Sequence, residues 1–252
     1  MTARRRLLGL LLVPLLALLA PVSSGHAEAS CSTEEHEGRS YDVCRFDPAT
    51  QPLELFNLND NGEPIGTFSA LAAKLAGDGK RLTFAMNAGM FDDKLHPIGL
   101  YVERGQTLKK LNRRNGFGNF HLKPNGVFFI EDGKAAVMDS ESFAKSGVKP
   151  DFATQSGPML VINGKIHPKF SPTGTSAKVR NGVGVTPSGE VVFALSETAV
   201  TFHQFASFFR DGLGTPNALF LDGTISSLYS TDLRRNDGFL PLGPMVGVYE
   251  EK

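Results

Sequence analysis

Two segments of the chain place their hydrophobic residues at helical spacing. In residues 67–76 the apolar side chains recur three or four positions apart, and Gly77 follows as a residue that can end a helix. In residues 201–211, Thr201 and Gln204 have the spacing of a capping box, and phenylalanines behind them form one apolar stripe. We predict an amphipathic helix in each segment and interpret the phenylalanine stripe as part of the core.

Most of the other hydrophobic residues lie in short runs separated by polar turns, a pattern typical of β-strands. The predicted strands are residues 53–58, 82–86, 98–103, 126–130, 135–138, 158–162, 191–195, 218–221 and 245–249. The turns at residues 131–134 and 187–189 predict hairpins, and the 27 Gly and 15 Pro residues favour short strands over a helical bundle. The sequence therefore predicts an α+β fold, a single domain with a mixed, mostly antiparallel sheet core and two main helices.

The first 29 residues have the parts of a bacterial secretory signal. Three arginines precede an apolar stretch at residues 7–20, and Ala27 and Ala29 flank a small-residue cleavage site. The stretch is shorter than the roughly 20 residues of a bilayer-spanning helix, so we expect no permanent membrane anchor. We predict a periplasmic or secreted protein from which a signal peptide, residues 1–29, is removed.

Cys31 and Cys44, the two cysteines of the chain, follow the predicted cleavage site. In an oxidising compartment they can close a small loop, and we predict one disulfide bond between them. Two unpaired thiols are the alternative. The bond would staple an N-terminal arm, residues 30–52, ahead of the main domain at residues 53–252.

Charge and motif content argue against several functions. The 26 basic and 26 acidic residues balance, and no run of like charge beyond the three N-terminal arginines resembles a nucleic-acid footprint, so we expect no nucleic-acid partner. The six histidines lack zinc-ligand spacing, and the glycine motifs of nucleotide-binding proteins are missing, so we predict no cofactor and no metal-ligating residues. A divalent cation stays an open alternative. The S-x-x-K pattern at residues 142–145 lacks the companion motifs of a serine enzyme.

Three glycine-rich polar turns carry the candidate chemistry. The first follows the apolar residues 84–86, where the predicted strand stops at Asn87 and Gly89. Small residues let backbone N–H groups approach a ligand, and an asparagine side chain both donates and accepts hydrogen bonds. An ordinary turn is the alternative for these residues.

The second turn precedes a strand that reads as buried, and it contains Arg180 and Asn181. A guanidinium group binds a phosphate or carboxylate through two parallel hydrogen bonds, so Arg180 is a candidate anion-binding residue. A surface ion pair is the alternative. Lys123 and Gln155 lie beside other predicted strand starts and would add a second cation and further hydrogen-bond donors.

The third turn, residues 222–227, follows a short apolar strand. It presents Asp222 and Gly223, and then Ser226 and Ser227. A carboxylate at the end of a strand is held rigidly by the sheet while its oxygens face a pocket. Because Asp-Gly is also a common turn pair, a purely structural turn is the alternative.

Taken in order, these turns resemble motifs of the phosphodiester glycosidase family, the bacterial relatives of the uncovering enzyme that removes N-acetylglucosamine from a phosphodiester. N-A-G-M-F at residues 87–91 is similar to the family's N-G-G-[YF]-F turn. R-N-G-V-G-V at residues 180–185 is similar to its R-x-A-[IV]-G strand, and L-D-G-T-I-S-S at residues 221–227 to its L-D-G-G-G-S-S loop. Residues 224–225 stand where the family's loop has two glycines, and a larger side chain there narrows any cavity that two glycines would open. We therefore expect a substrate different from that of the animal enzyme.

The resemblance implies an exported hydrolase that cleaves the glycosidic bond of a small-molecule or glycan sugar-1-phosphodiester and releases the sugar and a phosphomonoester. Arg180, with Lys123, would hold the phosphate as negative charge gathers on it. Asp222 would act as base or nucleophile at the anomeric carbon, and Glu197, just past the predicted strand 191–195, is the second carboxylate candidate. The substrate-binding residues would be Asn87, Gly89, Lys123, Gln155, Asn181, Gly223, Ser226 and Ser227.

Two other classes of function would use some of the same residues. A non-catalytic protein that binds sugar phosphates or the cell envelope would need the turns at Asn87 and Arg180 but not Asp222. A metal-assisted phosphodiesterase would split the bond between phosphorus and oxygen, with a divalent cation held by Asp92, Asp93 and Asp222.

Overall fold

The computed structural model describes residues 30–223 and 225–252. The predicted signal peptide lies outside the described residues. The helices are α1 (Phe68–Gly77), α2 (Ser140–Ser146) and α3 (Phe202–Ser207), with a 3-10 turn at Asn119–His121 and a π-helical turn at Phe208–Gly212. The strands are β1 (Cys31–His36), β2 (Arg39–Phe46), β3 (Leu53–Phe56), β4 (Lys80–Asn87), β5 (Tyr101–Glu103), β6 (Gln106–Lys109), β7 (Gly126–Glu131), β8 (Lys134–Asp139), β9 (Phe152–Ser156), β10 (Met159–Ile162), β11 (Lys165–Ile166), β12 (Asn181–Val185), β13 (Val191–Ser196), β14 (Asn217–Phe220), β15 (Leu228–Ser230), β16 (Arg235–Asn236) and β17 (Met245–Glu251).

The strands form three sheets. The first has seven strands in the order β1-β2-β13-β12-β14-β10-β11, the second has five in the order β16-β15-β4-β17-β3, and the third has five in the order β6-β5-β9-β7-β8. Within the described residues every pairing between these strands is antiparallel. The predicted α+β fold with a mostly antiparallel sheet core is confirmed.

The three sheets share one core, and a helix covers the outer face of each. Leu219 of the first sheet, Phe84 of the second and Phe128 of the third belong to the same buried cluster. On the outer faces, α3 packs on the first sheet, α1 on the second and α2 on the third. Central strands are therefore covered on both sides, which explains why β13 is an unbroken buried run rather than an alternating one.

Both predicted helices are present. Helix α1 begins after Thr67, whose side chain accepts a hydrogen bond from the backbone N–H of Ala70, and it ends at Gly77. Helix α3 begins with the predicted capping box of Thr201 and Gln204, and its hydrogen bonds change to the π-helical pattern at Phe208. The phenylalanine stripe packs in the outer core of the first sheet, as predicted.

Helix α2 is not among the predicted helices. Its N-terminal cap is Asp139, whose carboxylate accepts from the backbone N–H groups of Glu141 and Ser142. The S-x-x-K pattern lies inside this helix. Because Ser140 is its one buried residue, α2 has almost no apolar stripe from which a helix could be predicted.

The N-terminal segment forms a hairpin that belongs to the first sheet. Cys31 and Cys44 face each other in the β1–β2 register and form the predicted disulfide bond, with an S–S distance of 2.11 Å. Residues 41–46 of β2 also pair with β13, so β1 and β2 form one edge of the first sheet. In the part of the chain that the structure describes, no helix combines the length and the apolar character needed to cross a membrane.

Candidate active site

The three polar turns meet in one buried hydrogen-bond network. Asn87 ends β4, Asn181 begins β12, and Asp222 follows the end of β14. The Nδ2 of Asn181 donates to Oδ1 of Asn87 at 2.9 Å, and its Oδ1 accepts from the backbone N–H of Asp222 at 3.0 Å. The Oδ1 of Asn87 also accepts from the backbone N–H of Ser227 at 2.8 Å. Asn181 therefore ties the first turn to the third.

Two hydroxyl groups of β9 attach the third sheet to the same place. The Oγ1 of Thr154 accepts from the backbone N–H of Gly89 at 3.1 Å, and the hydroxyl of Ser156 donates to the carbonyl of Leu221. A Cβ atom at Gly89 would lie 2.4 Å from Oγ1 of Thr154 and 2.5 Å from the carbonyl oxygen of Gln155. Only glycine allows the turn after β4 to approach β9 this closely, and this contact joins the second sheet to the third.

One buried donor of the network lacks an acceptor. Asn87 is fully buried, and its Nδ2 has no hydrogen-bond partner among the described residues. A buried unsatisfied N–H group costs about 1–3 kcal/mol, so native proteins keep few of them. The Nδ2 of Asn87 is therefore a candidate donor to an oxygen atom of a ligand.

Arg180 is buried, with 2% of its surface exposed. Its Nε donates to the carbonyl of Val200 at 2.9 Å, and its Nη2 donates to the carbonyl of Ser176 at 3.1 Å. The guanidinium carbon lies 3.6 Å from the ring centre of Phe202 and 5.6 Å from that of Phe220, within range of cation–π attraction. Burial lowers the pKa of Arg180 to about 10, which leaves the group protonated at neutral pH.

The start of β12 directs Arg180 and Asn181 to different surroundings. Successive side chains of an extended chain point to opposite faces of a sheet. Asn181 joins the network at the sheet junction, whereas Arg180 lies on the α3 side against Phe202. The backbone N–H of Arg180 also donates to Oγ of Ser196 at 3.0 Å, which fixes the strand start to β13. Because β12 and β14 are antiparallel, Arg180 and Asp222 lie at the same end of the first sheet.

A cleft of about 570 Å³ opens beside this network, and Asp222 forms part of its wall. The lining also includes the apolar Met90, Ile98 and Ile225 and the polar Asn119, so it combines apolar and polar surface. This size and mixed lining are typical of sites for small molecules. A cleft of about 620 Å³ between the N-terminal hairpin and β17 contains none of the predicted site residues.

Two further carboxylates, Asp92 and Asp93, line the same cleft. The Oδ1 of Asp92 accepts from the backbone N–H groups of His96 at 3.0 Å and Lys94 at 2.9 Å. The bond from His96 above all holds the pKa of Asp92 below its ordinary value. Within residues 30–223 and 225–252, no three or more His, Cys, Asp or Glu side chains are grouped so that they could hold a metal ion.

Glu197 lies beside the network rather than in the wall of the cleft. Its carboxylate accepts from Nη1 of Arg235, which also donates to Asp42 at 2.7 Å, while Nε of Arg235 donates to Asp237 at 2.9 Å. Burial lowers the pKa of Arg235, but the bonds to Asp42 and Glu197 outweigh it and raise the pKa above its ordinary value. Arg235 also lines a pocket of about 240 Å³ with Ser227, which connects Glu197 to the edge of the site.

Gln155 is one of the predicted binding residues, and its amide is occupied by the protein. Its Oε1 accepts from the backbone N–H groups of Leu100 and Asn112, both at 2.9 Å. Its Nε2 donates to the carbonyl of Asn112 at 2.8 Å and to Oγ of Ser140 at 3.0 Å. The side chain therefore connects the loop before β5 to the start of α2.

Lys123 bonds to a loop away from the cleft lining, whereas Ser226 and Gly223 belong to the third turn. The Nζ of Lys123 donates to a loop carbonyl at 2.7 Å, and the residue is not part of the cleft lining. The hydroxyl of Ser226 donates to the carbonyl of Asp222 at 2.9 Å. A Cβ atom at Gly223 would lie 2.6 Å from the ring of Phe220, the phenylalanine beside Arg180.

Sequence reasoning missed two residues that shape the site. Phe202 supports the Arg180 guanidinium, although its sequence signal is only that of one apolar position in a helix. Arg235 forms ion pairs with three carboxylates, although it lies in the short strand β16, within a polar segment that has no distinctive motif. Neither contact follows from spacing, because each joins segments that are distant along the chain.

The arrangement is that of an antiparallel-sheet protein with a polar cleft at a sheet junction, and solved structures share the fold. The chain aligns with the catalytic domain of zebrafish N-acetylglucosamine-1-phosphodiester alpha-N-acetylglucosaminidase, auto-inhibited by its pro-peptide, at a TM-score of 0.61 and 15% identity, covering 87% of this chain and 81% of that one. It aligns with a putative exported protein of Burkholderia pseudomallei K96243 at a TM-score of 0.56 and 10% identity, covering 83% and 74% of the two chains.

The phosphodiester glycosidase family matches residues 80–249, and the chain belongs to this family. Its sequence is 38% identical over 226 residues to the uncharacterized protein YigE of Escherichia coli (strain K12), covering 90% of this chain and 85% of that protein. The resemblance inferred from the three turns is thus confirmed, and family membership supports a phosphodiester glycosidase kind of activity.

Proposed function

We propose that this protein hydrolyses the bond between the anomeric carbon of a sugar and a phosphodiester oxygen, releasing the sugar and a phosphomonoester. The observation that carries the proposal is the buried network of Asn87, Asn181 and Asp222 beside a cleft, with Arg180 at the same end of the first sheet as Asp222. Membership of the phosphodiester glycosidase family supports the kind of activity. N-acetylglucosamine, named in the zebrafish enzyme, is the first sugar to test.

Arg180 is the proposed phosphate-binding residue. Its hydrogen-bond acceptors are two uncharged carbonyl oxygens, so a phosphate anion would add charge compensation that these contacts do not give. Arg180 is not part of the cleft lining, but Met90, which lines the cleft, packs against the same apolar cluster as Phe202. In such a buried setting, charge stabilisation of a leaving phosphate is stronger than in water.

Asp222 is the proposed catalytic carboxylate. In one route it takes a proton from water, the water oxygen bonds to the anomeric carbon, and the bond to the phosphate oxygen breaks with its electron pair. In the other its carboxylate oxygen bonds to the anomeric carbon while the phosphomonoester leaves with the electron pair of the broken bond, and water then hydrolyses the glycosyl ester to give the sugar and the free carboxyl group. The leaving phosphomonoester is a stable anion, so neither route requires a strong proton donor. The anomer released, observed by NMR, separates inversion from retention.

Asn87, Ser226 and Ser227 are proposed to orient the sugar and phosphate oxygens. The unpartnered Nδ2 of Asn87 supports its role most directly, because it is a donor buried within the network. Asn181 and Gly89 are proposed to support binding by holding the turns together.

A release assay on a panel of sugar-1-phosphodiesters tests the proposal, with and without a chelator. We expect sugar and phosphomonoester as products in both conditions, and loss of turnover in Asp222→Asn. Glu197→Gln is the matched comparison, since it removes a carboxylate charge that lies outside the cleft lining. Turnover that survives Asp222→Asn but not Glu197→Gln would move the catalytic role to Glu197.

The chelator arm addresses the second candidate function. In a metal-assisted phosphodiesterase the cation would need Asp92, Asp93 and Asp222, which line one cleft but, among the described residues, are not grouped as metal ligands. That function requires loss of turnover in the chelator and products cut between phosphorus and oxygen. Binding of sugar phosphates without any turnover would instead favour a binding protein.

Export is part of the proposal. The Cys31–Cys44 disulfide fits an oxidising compartment, and a solved structure of the same fold is described as a putative exported protein. We propose a periplasmic or secreted location, which fractionation of cells that express the tagged chain would test.

A further inference from the structure

Large apolar side chains on the surface of the described chain gather around the cleft. The exposed members are Leu108, Phe117, Val179, Phe239 and Leu240, which we call the rim residues. Phe117 and Phe239 are exposed at 101% and 96% of their full surface. A cluster of exposed apolar residues is a common mark of an interaction surface.

Both exposed phenylalanines stand at the mouth of the cleft. Phe117 directly precedes Gly118, which lines the cleft. Phe239 and Leu240 line the adjoining small pocket, which shares Ile225 with the cleft. Phe117 and Phe239 are therefore one and two residues along the chain from the cleft-lining residues Gly118 and Pro241.

The other rim residues continue this border. Leu108 lines a third pocket, of about 580 Å³, which shares Ile98 with the cleft. The carbonyl of Val179 lies 3.4 Å from the hydroxyl of Ser226, another residue of the small pocket. The cleft and the two pockets that share Ile98 and Ile225 with it form a surface that we call the groove, and the rim residues lie in it or next to it.

Exposed basic side chains lie close to the rim residues along the chain. Lys109, Lys110 and Arg114 are exposed on the segment that leads to the first rim phenylalanine, and none forms an ion pair with another described residue. Arg113 in the same segment is paired with Glu141. Three positive charges therefore remain available beside the exposed apolar residues.

We propose that this face docks on an anionic lipid bilayer. The rim residues would enter the headgroup region, and Lys109, Lys110 and Arg114 would contact lipid phosphates. The full exposure of Phe117 and Phe239 favours a bilayer over a single apolar ligand, because residues without a surrounding wall offer one small molecule little contact. A lipid surface covers the whole rim at once, and its negative charge complements the basic segment.

Docking in this orientation turns the cleft towards the lipid surface. If the proposed function holds, the substrates are glycosyl phosphodiesters whose phosphate is joined to a membrane lipid. The sugar would be released to water, and the phosphomonoester would stay in the bilayer.

Vesicle co-sedimentation tests the docking without reference to turnover. We expect the full chain to bind vesicles of phosphatidylglycerol and phosphatidylcholine more tightly than vesicles of phosphatidylcholine alone. Phe117→Ser combined with Phe239→Ser should weaken binding by about tenfold or more. Lys109→Gln, Lys110→Gln and Arg114→Gln together should weaken it by about a hundredfold at low salt.

A charge-matched control is Lys134→Gln, Lys149→Gln and Lys165→Gln. These exposed lysines lie outside the lining of the three pockets: Lys134 follows the β7–β8 turn, Lys149 bonds Glu131 beside that turn, and Lys165 follows the β10–β11 turn. Because all variants share the same N-terminal segment, its apolar stretch contributes equally to each. We expect the control to bind like the wild type.

Equal binding by the rim variants and the control would overturn the docking proposal. Stronger binding to soluble dextran sulfate than to anionic vesicles, unaffected by the phenylalanine changes, would overturn it in favour of an acidic glycan. Turnover of a water-soluble glycosyl phosphodiester separates the two proposals. Absence of turnover on this substrate and on its lipid-linked counterpart, together with rim-dependent vesicle binding, refutes the enzyme proposal alone, and unchanged turnover without vesicle binding refutes docking alone.

Discussion

The side chain of Arg180 is placed by contacts that a lysine reproduces only in part. Arg180→Lys keeps the charge but loses the planar stack on Phe202 and one of the two bonds to carbonyl oxygens. We expect kcat/KM to fall about a hundredfold, the typical effect of removing a preorganised charge-stabilising donor. The free energy of unfolding should fall by about 1–2 kcal/mol.

Arg210→Lys is the control for this substitution, because Arg210 pairs with Asp211 at the surface. Steady-state kinetics and urea unfolding of both variants make the comparison. A kcat/KM in Arg180→Lys equal to that of the wild type would remove Arg180 from the site.

The lowered pKa of Arg180 predicts an alkaline limit to activity. Phosphate binding requires the protonated guanidinium, so kcat/KM should fall as the pH rises through about 10. The contribution of Arg180 to the free energy of unfolding changes in the opposite direction and increases with pH. Because the unfolded chain keeps the proton to higher pH, Arg180 adds to the free energy of unfolding as the pH rises from about 10 towards the ordinary arginine pKa. A pH profile with no decline near pH 10 in still-folded protein would contradict the assignment.

At the scale of elements, the turn after β4 depends on one glycine. Gly89→Ala would place a Cβ atom 2.4 Å from Oγ1 of Thr154 and push β4 away from β9. We expect a loss of about 1–3 kcal/mol in the free energy of unfolding, together with reduced turnover, because the cleft shares this turn. Gly77→Ala at the end of α1 meets no atom within 4 Å and should be neutral or stabilising. Equal unfolding midpoints of the two variants would show that the approach to β9 is not required.

The elements that sequence reasoning predicted are those with a strong local signal. The capping box of Thr201 and Gln204 is a local hydrogen-bond pattern, and the apolar runs of the central strands are buried, so both can be recognised in the sequence. The β1–β2 hairpin was not predicted as a pair of strands, because residues such as Glu34, Glu35 and Arg39 are partly or fully exposed and break the apolar alternation. Strand β5 begins only at Tyr101, since the preceding loop is held by Gln155 rather than by strand pairing.

In the candidate site, too, only the features with a strong local pattern could be predicted from the sequence. The order of Asn87, Arg180 and Asp222 along the chain was visible as three motifs, and the structure brings their strand ends together. The positions of Gln155 and Lys123 were not predictable, because a polar side chain near a strand start binds whichever backbone groups the fold brings to it. Their sequence signal was the same as that of a binding residue.

For the whole molecule, the Cys31–Cys44 disulfide joins the edge hairpin to itself at a sequence separation of 13. Replacing both cysteines with serine should lower the free energy of unfolding by about 3 kcal/mol, since the unfolded chain regains the entropy of the open loop. Catalysis well below the unfolding temperature should be unchanged, because the site lies at the sheet junction. Urea unfolding with and without a reductant measures the effect.

The double serine variant is its own control, because a reductant should leave its unfolding unchanged. Wild-type protein that unfolds at the same urea concentration in both conditions would show that the bond contributes little to stability.

The position of the broken bond is the most direct test of the account. Hydrolysis of a sugar-1-phosphodiester in oxygen-18 water, with immediate mass spectrometry of both products, shows which atom received the water oxygen. We predict a labelled sugar and an unlabelled phosphomonoester, as attack at the anomeric carbon beside Asp222 requires. Label in the phosphate would place the cut between phosphorus and oxygen and would contradict the glycosidase assignment.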